Sequence, residues 1–539
     1  MTAGPFDATL AGVPGYDDLV PDPSRAADDR LGTELAAIAA ELARIPVERL
    51  SGQDAVTHSV LARVLRDRRA ELLGAATEVS VSASIAAPQV AVFSTLPQAS
   101  LTTAAQAGAY LVRLTRVGGY FDALSARYLQ AARAGRVPVA RGVGQAVAQV
   151  DAFLAVPITQ DRLVALDPRG VDAVRWREQA GAIVETTVRP ALQRFRDTLA
   201  WDLAPLGRDD EHVGLGQVPR GTDAYRAAVA AHTTTDLDPD AIHRIGIDAL
   251  ARVHAEIADV GARALGAHEV PAILTRLRED PALRFESSAQ ILAMVTAATD
   301  RARQALPNWF SSYSLAPCEV AEISPAEATG APPAYYIPPA TDGSRPGTVW
   351  VNTTDPGNRA RFDCEGMAFH EGYPGHHLQS ALAQTLVDLP DFRRYGMFNA
   401  YIEGWGLYTE RLADEMGLYT TDLDQLGMLS NDAWRACRLV VDTGIHHYGW
   451  SRDRAAGFLR DNCALAQPSV EPEIDRYIAM PGQALSYLIG RNHIDQLRSD
   501  AKARMGKRFD IKGFHDTVLS CGPVPLDTLG DLVARWSHA

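Results

Sequence analysis

Residues 367–379, the most informative segment of the chain, read Met-Ala-Phe-His-Glu-Gly-Tyr-Pro-Gly-His-His-Leu-Gln. His370-Glu371 begins like HExxH, the helical motif in which two histidines one turn apart bind zinc and the glutamate acts on water. Position 374 is a proline here, so the strict motif is absent. The next histidines follow at positions 376 and 377.

Two pairs of histidine ligands remain open. On an unbroken helix His377 would lie about 10.5 Å along the axis from His370, which is too far for both rings to reach one ion. Pro374 breaks a helix, and Gly375 accepts backbone conformations that other residues avoid. A two-residue bulge would therefore bring His376 to the place of the second histidine. We favour His370 with His376 over His370 with His377, and expect the remaining histidine to support the ligands or contact substrate.

A third ligand is expected from residues 401–410, Tyr-Ile-Glu-Gly-Trp-Gly-Leu-Tyr-Thr-Glu, because a catalytic zinc takes three protein ligands and keeps one open position. The spacing of apolar residues predicts a helix that ends at Gly417. Glu403 is the predicted ligand. Glu410 lies two turns further on the same face and is predicted to support the ligands.

Several stretches of the sequence together resemble the DUF885 family of uncharacterised bacterial proteins. The matching strings are HEGYPGHHLQ (370–379), EGWGLYTERL (403–412), PGTVWVNT (346–353), RLVVDTGIHHYGWS (438–451) and PGQALSYLIG (481–490). The resemblance covers at least residues 230–535. It implies a mainly α fold with the large helical architecture of Glu-zincin metallopeptidases, and it leaves the substrate open. Many relatives carry lipoprotein or secretory signals.

The periodicity of apolar residues agrees with a mainly helical chain. Thr33 is predicted to cap a helix that stops before Pro46, and Asp238-Pro239 to begin a helix through Ile257. The exception is the Pro- and Gly-rich segment 316–357. There Ala334–Ile337 and Thr348–Val351 predict a small hairpin near the active-site cleft, with Asp342-Gly343 in its turn. We divide the chain into a helical part, 1–235, and a catalytic part, 236–539, at a boundary that is not sharply marked.

Composition excludes several other functions. The chain has 52 Lys and Arg against 66 Asp and Glu, a formal charge of −14, which disfavours binding to nucleic acid or an anionic membrane. Its three lysines lie at 502, 507 and 512, so residues 1–501 contain no Walker A or Schiff-base lysine. Five widely spaced cysteines do not suggest a disulfide framework. The N-terminus does not resemble a signal peptide, and we expect a cytoplasmic protein. The oligomeric state is not predicted.

The predicted function is a zinc-dependent hydrolase of short peptides in which Glu371 takes a proton from water and passes it to the leaving amine. Manganese or cobalt could occupy the same ligands. The alternatives are a metal-dependent hydrolase of another amide or ester, and a non-catalytic helical binding protein with a relic site. Retention of Glu371 argues against the relic.

Secondary roles are assigned to residues in the later matching stretches. His446, Tyr487 or Tyr448 is expected to donate a hydrogen bond to the developing oxyanion, with His446 first. Arg438 or Arg491 is expected to hold a substrate carboxylate, which favours a carboxypeptidase or dipeptidase. Asp442 is expected to orient a histidine, and strand Thr348–Asn352 to pair with an extended peptide.

Overall fold

The computed structural model describes residues 4–10, 13, 15–84, 87–313, 316–324, 332–340 and 345–538, which are mainly helical and include a small β-sheet. The first α-helices are α1 (Pro5–Leu10), α2 (Arg25–Leu42), α3 (Gly52–Gly74), α4 (Pro88–Thr95), α5 (Ala104–Arg133), α6 (Ala140–Ala155), α7 (Ala173–Ile183), α8 (Arg189–Asp197), α9 (Gly221–Thr233), α10 (Pro239–Leu265), α11 (Val270–Glu279) and α12 (Ser288–Trp309). After the sheet follow α13 (Cys364–Glu371), α14 (His376–Thr385), α15 (Asp391–Arg394), α16 (Asn399–Glu415), α17 (Asp422–His446), α18 (Arg452–Asn462), α19 (Gln467–Ala479), α20 (Ser486–Met505), α21 (Ile511–Leu519) and α22 (Leu526–His538).

Two predicted helix starts have different outcomes. The start at Asp238-Pro239 is confirmed, since the Asp238 side chain accepts a hydrogen bond from the Asp240 N–H at the head of α10. The start at Thr33 is wrong, because α2 begins at Arg25 and is capped by Ser24. Thr33 lies inside α2, where its hydroxyl donates to the carbonyl of Asp29. The first turns of α2 are polar, so apolar periodicity does not reveal them.

The sheet contains the predicted hairpin and one more strand. Strands β1 (Cys318–Glu322), β2 (Ala334–Ile337) and β3 (Gly347–Val351) lie in the order β1-β3-β2. β3 pairs with β1 in parallel and with β2 antiparallel. The predicted pairing of Thr348–Asn352 with a substrate peptide is wrong, because β3 is the central strand and both its edges are used. Asp342-Gly343 lies outside the described residues.

The hydrophobic core has three clusters among the described residues. One is confined to residues between Phe6 and Leu203 and is built from helices of the first 200 positions. The other two draw on both halves of the chain: one joins Val56 to Val533, and the other joins Val79 to Leu526. Both of these clusters contain residues from either side of position 235, so they do not mark a boundary there. The division into 1–235 and 236–539 stays a prediction. Within the described part of the chain, none of the helices combines the length and apolar composition needed to span a bilayer.

α16 and α20 cross at glycines, and this contact positions the site. A Cβ at Gly404 would lie 2.5 Å from the Cα of Gly490, and a Cβ at Gly490 would lie 1.9 Å from the Ala400 carbonyl oxygen. Only glycine permits so close an approach. α16 also contacts α13, so the helices carrying His370, Glu403 and Tyr487 meet in one place.

Candidate metal centre

The break between α13 and α14 follows from the Gly-Tyr-Pro-Gly sequence. α13 ends at Glu371 and α14 begins at His376, with Gly375 as its N-cap residue. A Cβ at Gly375 would lie 1.9 Å from the His370 carbonyl oxygen, so the chain can fold back this tightly only with glycine there. The indole N–H of Trp405 donates to the Pro374 carbonyl at 3.0 Å and fixes the turn to α16.

The break brings His370 and His376 together with Glu403. Nε2 of His370 lies 3.5 Å, and Nε2 of His376 3.6 Å, from Oε2 of Glu403. All three ligand atoms lie within 4.8 Å of one another. Zinc bonds of about 2.0–2.2 Å in tetrahedral geometry separate neighbouring donor atoms by about 3.3–3.5 Å. The donor types and the two distances to Oε2 of Glu403 therefore fit a zinc ion.

Glu410 and Gly406 orient the His370 ring. Nδ1 of His370 lies 2.8 Å from Oε1 of Glu410, so the ring donates its Nδ1 proton there and its Nε2 faces Glu403. A carboxylate behind a histidine ligand is a common arrangement in zinc sites. A Cβ at Gly406 would lie 2.6 Å from Cε1 of the same ring. The supporting role predicted for Glu410 agrees with this contact.

The site carries more negative than positive charge. Burial alone would lower the pKa of His370, but Glu403, Glu410 and Glu371 raise it to about 10. Burial would raise the pKa of Glu403, but the two histidines hold it well below its usual value. Three carboxylates around two histidines thus favour bound positive charge, and a divalent cation would supply it.

Glu371 is placed differently from Glu403. It lies at the end of α13, beside the three-residue cluster but not part of it. Burial raises its pKa, while the nearby rings of His376 and His370 act in the opposite direction. A carboxylate adjacent to the ligands and left out of the ligand set can act as a base.

The structure separates His377 from the centre. Its Nδ1 lies 2.9 Å from the hydroxyl of Tyr336 on β2, and its Nε2 lies 3.0 Å from the Ala316 carbonyl oxygen. Both ring nitrogens are therefore occupied: Nδ1 accepts from the tyrosine and Nε2 donates to the carbonyl. The alternative pairing of His370 with His377 is wrong for this structure, and His377 instead ties α14 to β2.

Tyr487 lies beside the centre, in the first turn of α20. Its ring centroid is 6.4 Å from that of His370. The guanidinium of Arg438 lies over the Tyr487 ring, 4.6 Å from its centroid. Arg438 also donates to the Tyr477 hydroxyl at 2.9 Å and to Glu473 at 3.1 Å. Both predicted residues thus approach the site, Tyr487 directly and Arg438 behind it.

His446 lies in a different environment from the one predicted. Its Nδ1 accepts from the backbone N–H of Leu215 at 3.0 Å, and its Nε2 donates to the Tyr477 carbonyl at 2.9 Å. The predicted role as oxyanion donor is wrong, because no N–H of the neutral ring remains available. Burial lowers the pKa of His446 to about 4, so the ring stays neutral at ordinary pH.

We expect His446→Ala to lower stability without affecting metal binding. The change leaves the Leu215 N–H and the Tyr477 carbonyl without partners and opens a cavity, at a cost of about 2–5 kcal/mol. Thermal unfolding at pH 7.5 and the zinc content of the purified protein would test the two parts. A variant that loses zinc but unfolds like the wild type would contradict this interpretation.

The pH dependence of unfolding gives a second readout for His446. Its folded pKa of about 4 lies below the unfolded value of about 6.5. The folded protein therefore binds fewer protons, and the wild type loses stability as pH falls from 6.5 towards 4. We expect a shallower acid slope in His446→Ala, because this one buried histidine is gone.

Asp442 and Tyr448 are also placed away from their predicted roles. Asp442 accepts from the Tyr225 hydroxyl at 2.6 Å and from the Gly482 N–H, so it holds the turn before Tyr487 and bonds to none of the histidines that the structure describes. The Tyr448 hydroxyl donates to Asp240 on the surface, with 48% of the residue exposed. Arg491, the other candidate for a substrate carboxylate, is paired with the buried Asp432.

One residue near the centre was missed by the sequence analysis. Arg435 lies on α17, with its Nη2 3.8 Å from Oε1 of Glu410 and its guanidinium 5.8 Å from the centroid of Tyr487. The available signal was its position three residues before Arg438, on a helix whose neighbouring positions are mostly apolar. Two arginines at that spacing share a face of a helix.

The family is shown by a match over nearly the whole chain. The sequence model described as "Bacterial protein of unknown function (DUF885)" matches residues 5–533. The chain belongs to the DUF885 family. The resemblance of the five strings is thereby confirmed, and it extends into the N-terminal helices. Among curated proteins, no match was found for this DUF885 chain.

Two solved structures resemble this DUF885 protein along their whole lengths. One is described as the putative lipoprotein from Colwellia psychrerythraea: it is 27% identical, with a TM-score of 0.91, and the match covers 99% of this chain and 96% of that one. The other is described as a putative lipoprotein of unknown function from Shewanella oneidensis. It is 17% identical, with a TM-score of 0.77, and the match covers 99% of this chain and 97% of that one. At this level of identity the similarity shows the fold alone.

Proposed function

We propose that this DUF885 protein is a zinc-dependent hydrolase that cleaves amide bonds in short peptides. The proposal is carried by the convergence of His370 and His376 on Oε2 of Glu403, at 3.5 and 3.6 Å. Two imidazoles and one carboxylate are the ligands of many catalytic zinc sites, which keep a fourth position for water or substrate. Manganese and cobalt accept the same donors, and imidazole favours zinc among the common candidates.

The chain's own residues account for the remaining chemistry. A bound zinc ion supplies a Lewis acid that polarises a carbonyl and acidifies water. Glu371 takes the proton of the attacking water and returns it to the leaving amine. Its buried position, which raises its pKa, suits a group that must both accept and release a proton. Tyr487, beside His370, donates its hydroxyl to the developing oxyanion.

A zincin-like arrangement of the surrounding elements is part of the proposal. α13 contacts α16 on one side and β2 on another, so the His-Glu helix, the Glu403 helix and a strand adjoin one centre. Among the described residues β2 lies at an edge of the sheet. An extended peptide that adds a strand to that edge would run past the centre. In this proposal β2, and not β3, pairs with the substrate peptide.

A cytoplasmic location is also proposed. All five cysteines are free thiols, and four of them are buried. Free thiols are typical of reducing compartments. The description as lipoproteins belongs to the two structural relatives.

The proposal is tested by metal content and by activity in the same preparations. Protein purified without added metal is expected to contain one zinc per chain and to cleave members of a short-peptide library. His370→Ala is expected to lack both properties. Zinc-dependent cleavage of non-peptide amides or esters, without peptide cleavage, would favour the broader hydrolase. A wild type that has neither zinc nor activity after zinc addition would favour a binding protein with a relic site.

A further inference from the structure

We infer that Arg435 and Arg438 form a binding site for a substrate carboxylate next to the metal centre. This inference rests on the proposed function. The substrates would be short peptides that carry a carboxylate one or two residues from the bond that is cleaved. Both side chains have buried guanidinium nitrogens without a hydrogen-bond partner among the described residues. Arg435 was not expected in this role from the sequence.

Arg435 is buried, but its hydrogen-bonding capacity is not used. The residue is 9% exposed, and neither Nε nor Nη1 has a hydrogen-bond partner among the described residues. Its closest carboxylate contact in the described part of the chain, from Nη2 to Oε1 of Glu410, is 3.8 Å and too long for a hydrogen bond. Glu410 is already bonded to His370. A buried guanidinium with unpaired N–H groups is costly unless an anion completes it.

Arg438 offers a second unpaired nitrogen in a fixed orientation. Its Nε bonds to Tyr477 and its Nη2 bonds to Glu473, while Nη1 has no partner in the described part of the chain. The residue is 2% exposed. Its guanidinium also lies 4.1 Å from the centroid of a Trp434 ring. These contacts hold the group still, so binding an anion costs little conformational entropy.

Both arginines face Tyr487, which links them to the centre. Their guanidinium carbons lie 5.8 and 4.6 Å from the centroid of the Tyr487 ring, and that centroid lies 6.4 Å from the His370 ring. A second path between the arginines and the centre is shorter. Nη2 of Arg435 lies 3.8 Å from Oε1 of Glu410, and that oxygen lies 2.8 Å from Nδ1 of His370. One peptide residue spans about 3.3–3.6 Å, so the carboxylate lies one or two residues from the cleaved bond.

Carboxylate is the anion that best matches this site within the proposed reaction. Arginine binds carboxylates through paired, charge-assisted hydrogen bonds, and a peptide substrate offers them at its C-terminus or on an acidic side chain. A C-terminal carboxylate would make the enzyme an exopeptidase that releases one or two residues. An acidic side chain would instead give specificity at one substrate position. The experiment separates these two sources.

Binding to the zinc-loaded Glu371→Gln protein tests the inference without relying on turnover. Calorimetry would compare N-acetyl di- and tripeptides with a free C-terminus against their C-terminal amides, and amides containing Glu against amides containing Gln. We expect a carboxylate to strengthen binding by about 10–100-fold. Adding Arg435→Met is expected to reduce that preference to about twofold or less. Adding Arg435→Lys, which keeps the charge but loses the fork, is expected to retain part of it.

Arg498→Met is the matched control. Arg498 lies over Tyr408 at 5.9 Å, as Arg435 lies over Tyr487, but both its Nη atoms bond to Glu415. The control is expected to keep the full carboxylate preference. If Arg435→Met does not fold, Arg435→Lys serves as the test, and an undiminished preference in it overturns the inference.

The outcomes distinguish this inference from the proposed function. Equal binding of carboxylates and amides, or a preference that survives Arg435→Met, would overturn the carboxylate site. Cleavage of acids and amides with the same kcat/KM would also overturn it while leaving the hydrolase proposal standing. Arg435-dependent binding of carboxylates by a wild type that cleaves no peptide would contradict the hydrolase proposal alone.

Discussion

Glu371→Gln is expected to reduce kcat for peptide hydrolysis by about 10²–10⁴-fold, the usual contribution of a positioned base. The amide keeps the size of the side chain but cannot take a proton from water. Glu371 lies outside the ligand cluster of His370, His376 and Glu403, so zinc content should not change. Initial rates on a peptide substrate, with zinc measured on the same sample, would check both expectations.

The control for this prediction is Glu415→Gln. Glu415 is the last residue of α16, the helix that carries Glu403, and its side chain is 47% exposed in an ion pair with Arg498. It should keep the wild-type kcat. A Glu371→Gln enzyme that retains more than about a tenth of wild-type kcat, with full zinc occupancy, would show that another group accepts the proton.

The sequence predicted the elements of the site better than it predicted their surroundings. The Pro-Gly break and the Glu403 helix could be predicted from local sequence, because each depends on the residues of one short segment. Gly375 leaves the chain room to fold back onto the His370 carbonyl, and the following turn delivers His376. The third strand was missed because it lies apart from the hairpin, and that omission made β3 seem available to a substrate.

The roles of the polar residues on α17 could not be predicted in the same way. His446 bonds to Leu215 and Tyr477, and Asp442 bonds to Tyr225 and Gly482. Every one of these partners lies on another segment, so a pattern within 438–451 contains no information about it. The sequence showed that polar groups lie on a buried helix and must be paired. It did not show that their partners are protein groups and not a metal site.

The same limit explains why Arg435 was overlooked and Arg438 was not. Arg438 lies within a string shared with the family, whereas Arg435 lies just before it. The two arginines differ in their hydrogen bonds: two of the three Arg438 nitrogens are bonded, while Nε and Nη1 of Arg435 have no hydrogen-bond partner among the described residues. An unsatisfied buried donor can be recognised only after the surrounding chain is known.

His376→Ala is expected to weaken zinc binding by about 100-fold or more, whereas His377→Ala should leave it within about threefold. Zinc sites with four ligands bind with about 10–16 kcal/mol, or about 2.5–4 kcal/mol per ligand. Of these two histidines, His376 is the one whose ring nitrogen lies near Glu403, with Nε2 3.6 Å from Oε2. His377 has both nitrogens bonded, to Tyr336 and the Ala316 carbonyl, so its loss should cost folding stability instead, by about 2–4 kcal/mol.

We expect the zinc affinity of Glu410→Gln to lie between the affinities of these two histidine variants. It retains an acceptor for the His370 Nδ1 proton but removes the charge behind the ligand, and changes of this kind typically cost 10–100-fold in metal affinity. Competition with a zinc chelator should therefore rank the losses as His376→Ala first, Glu410→Gln second and His377→Ala last, while thermal unfolding identifies His377→Ala as the destabilised protein. Equal losses of affinity in His376→Ala and His377→Ala would mean that the ion is not held by the atoms converging on Glu403. The ranking thus tests the feature on which the whole proposed site depends, a helix broken at Pro374-Gly375 so that the sixth residue after His370, and not the seventh, lies against Glu403.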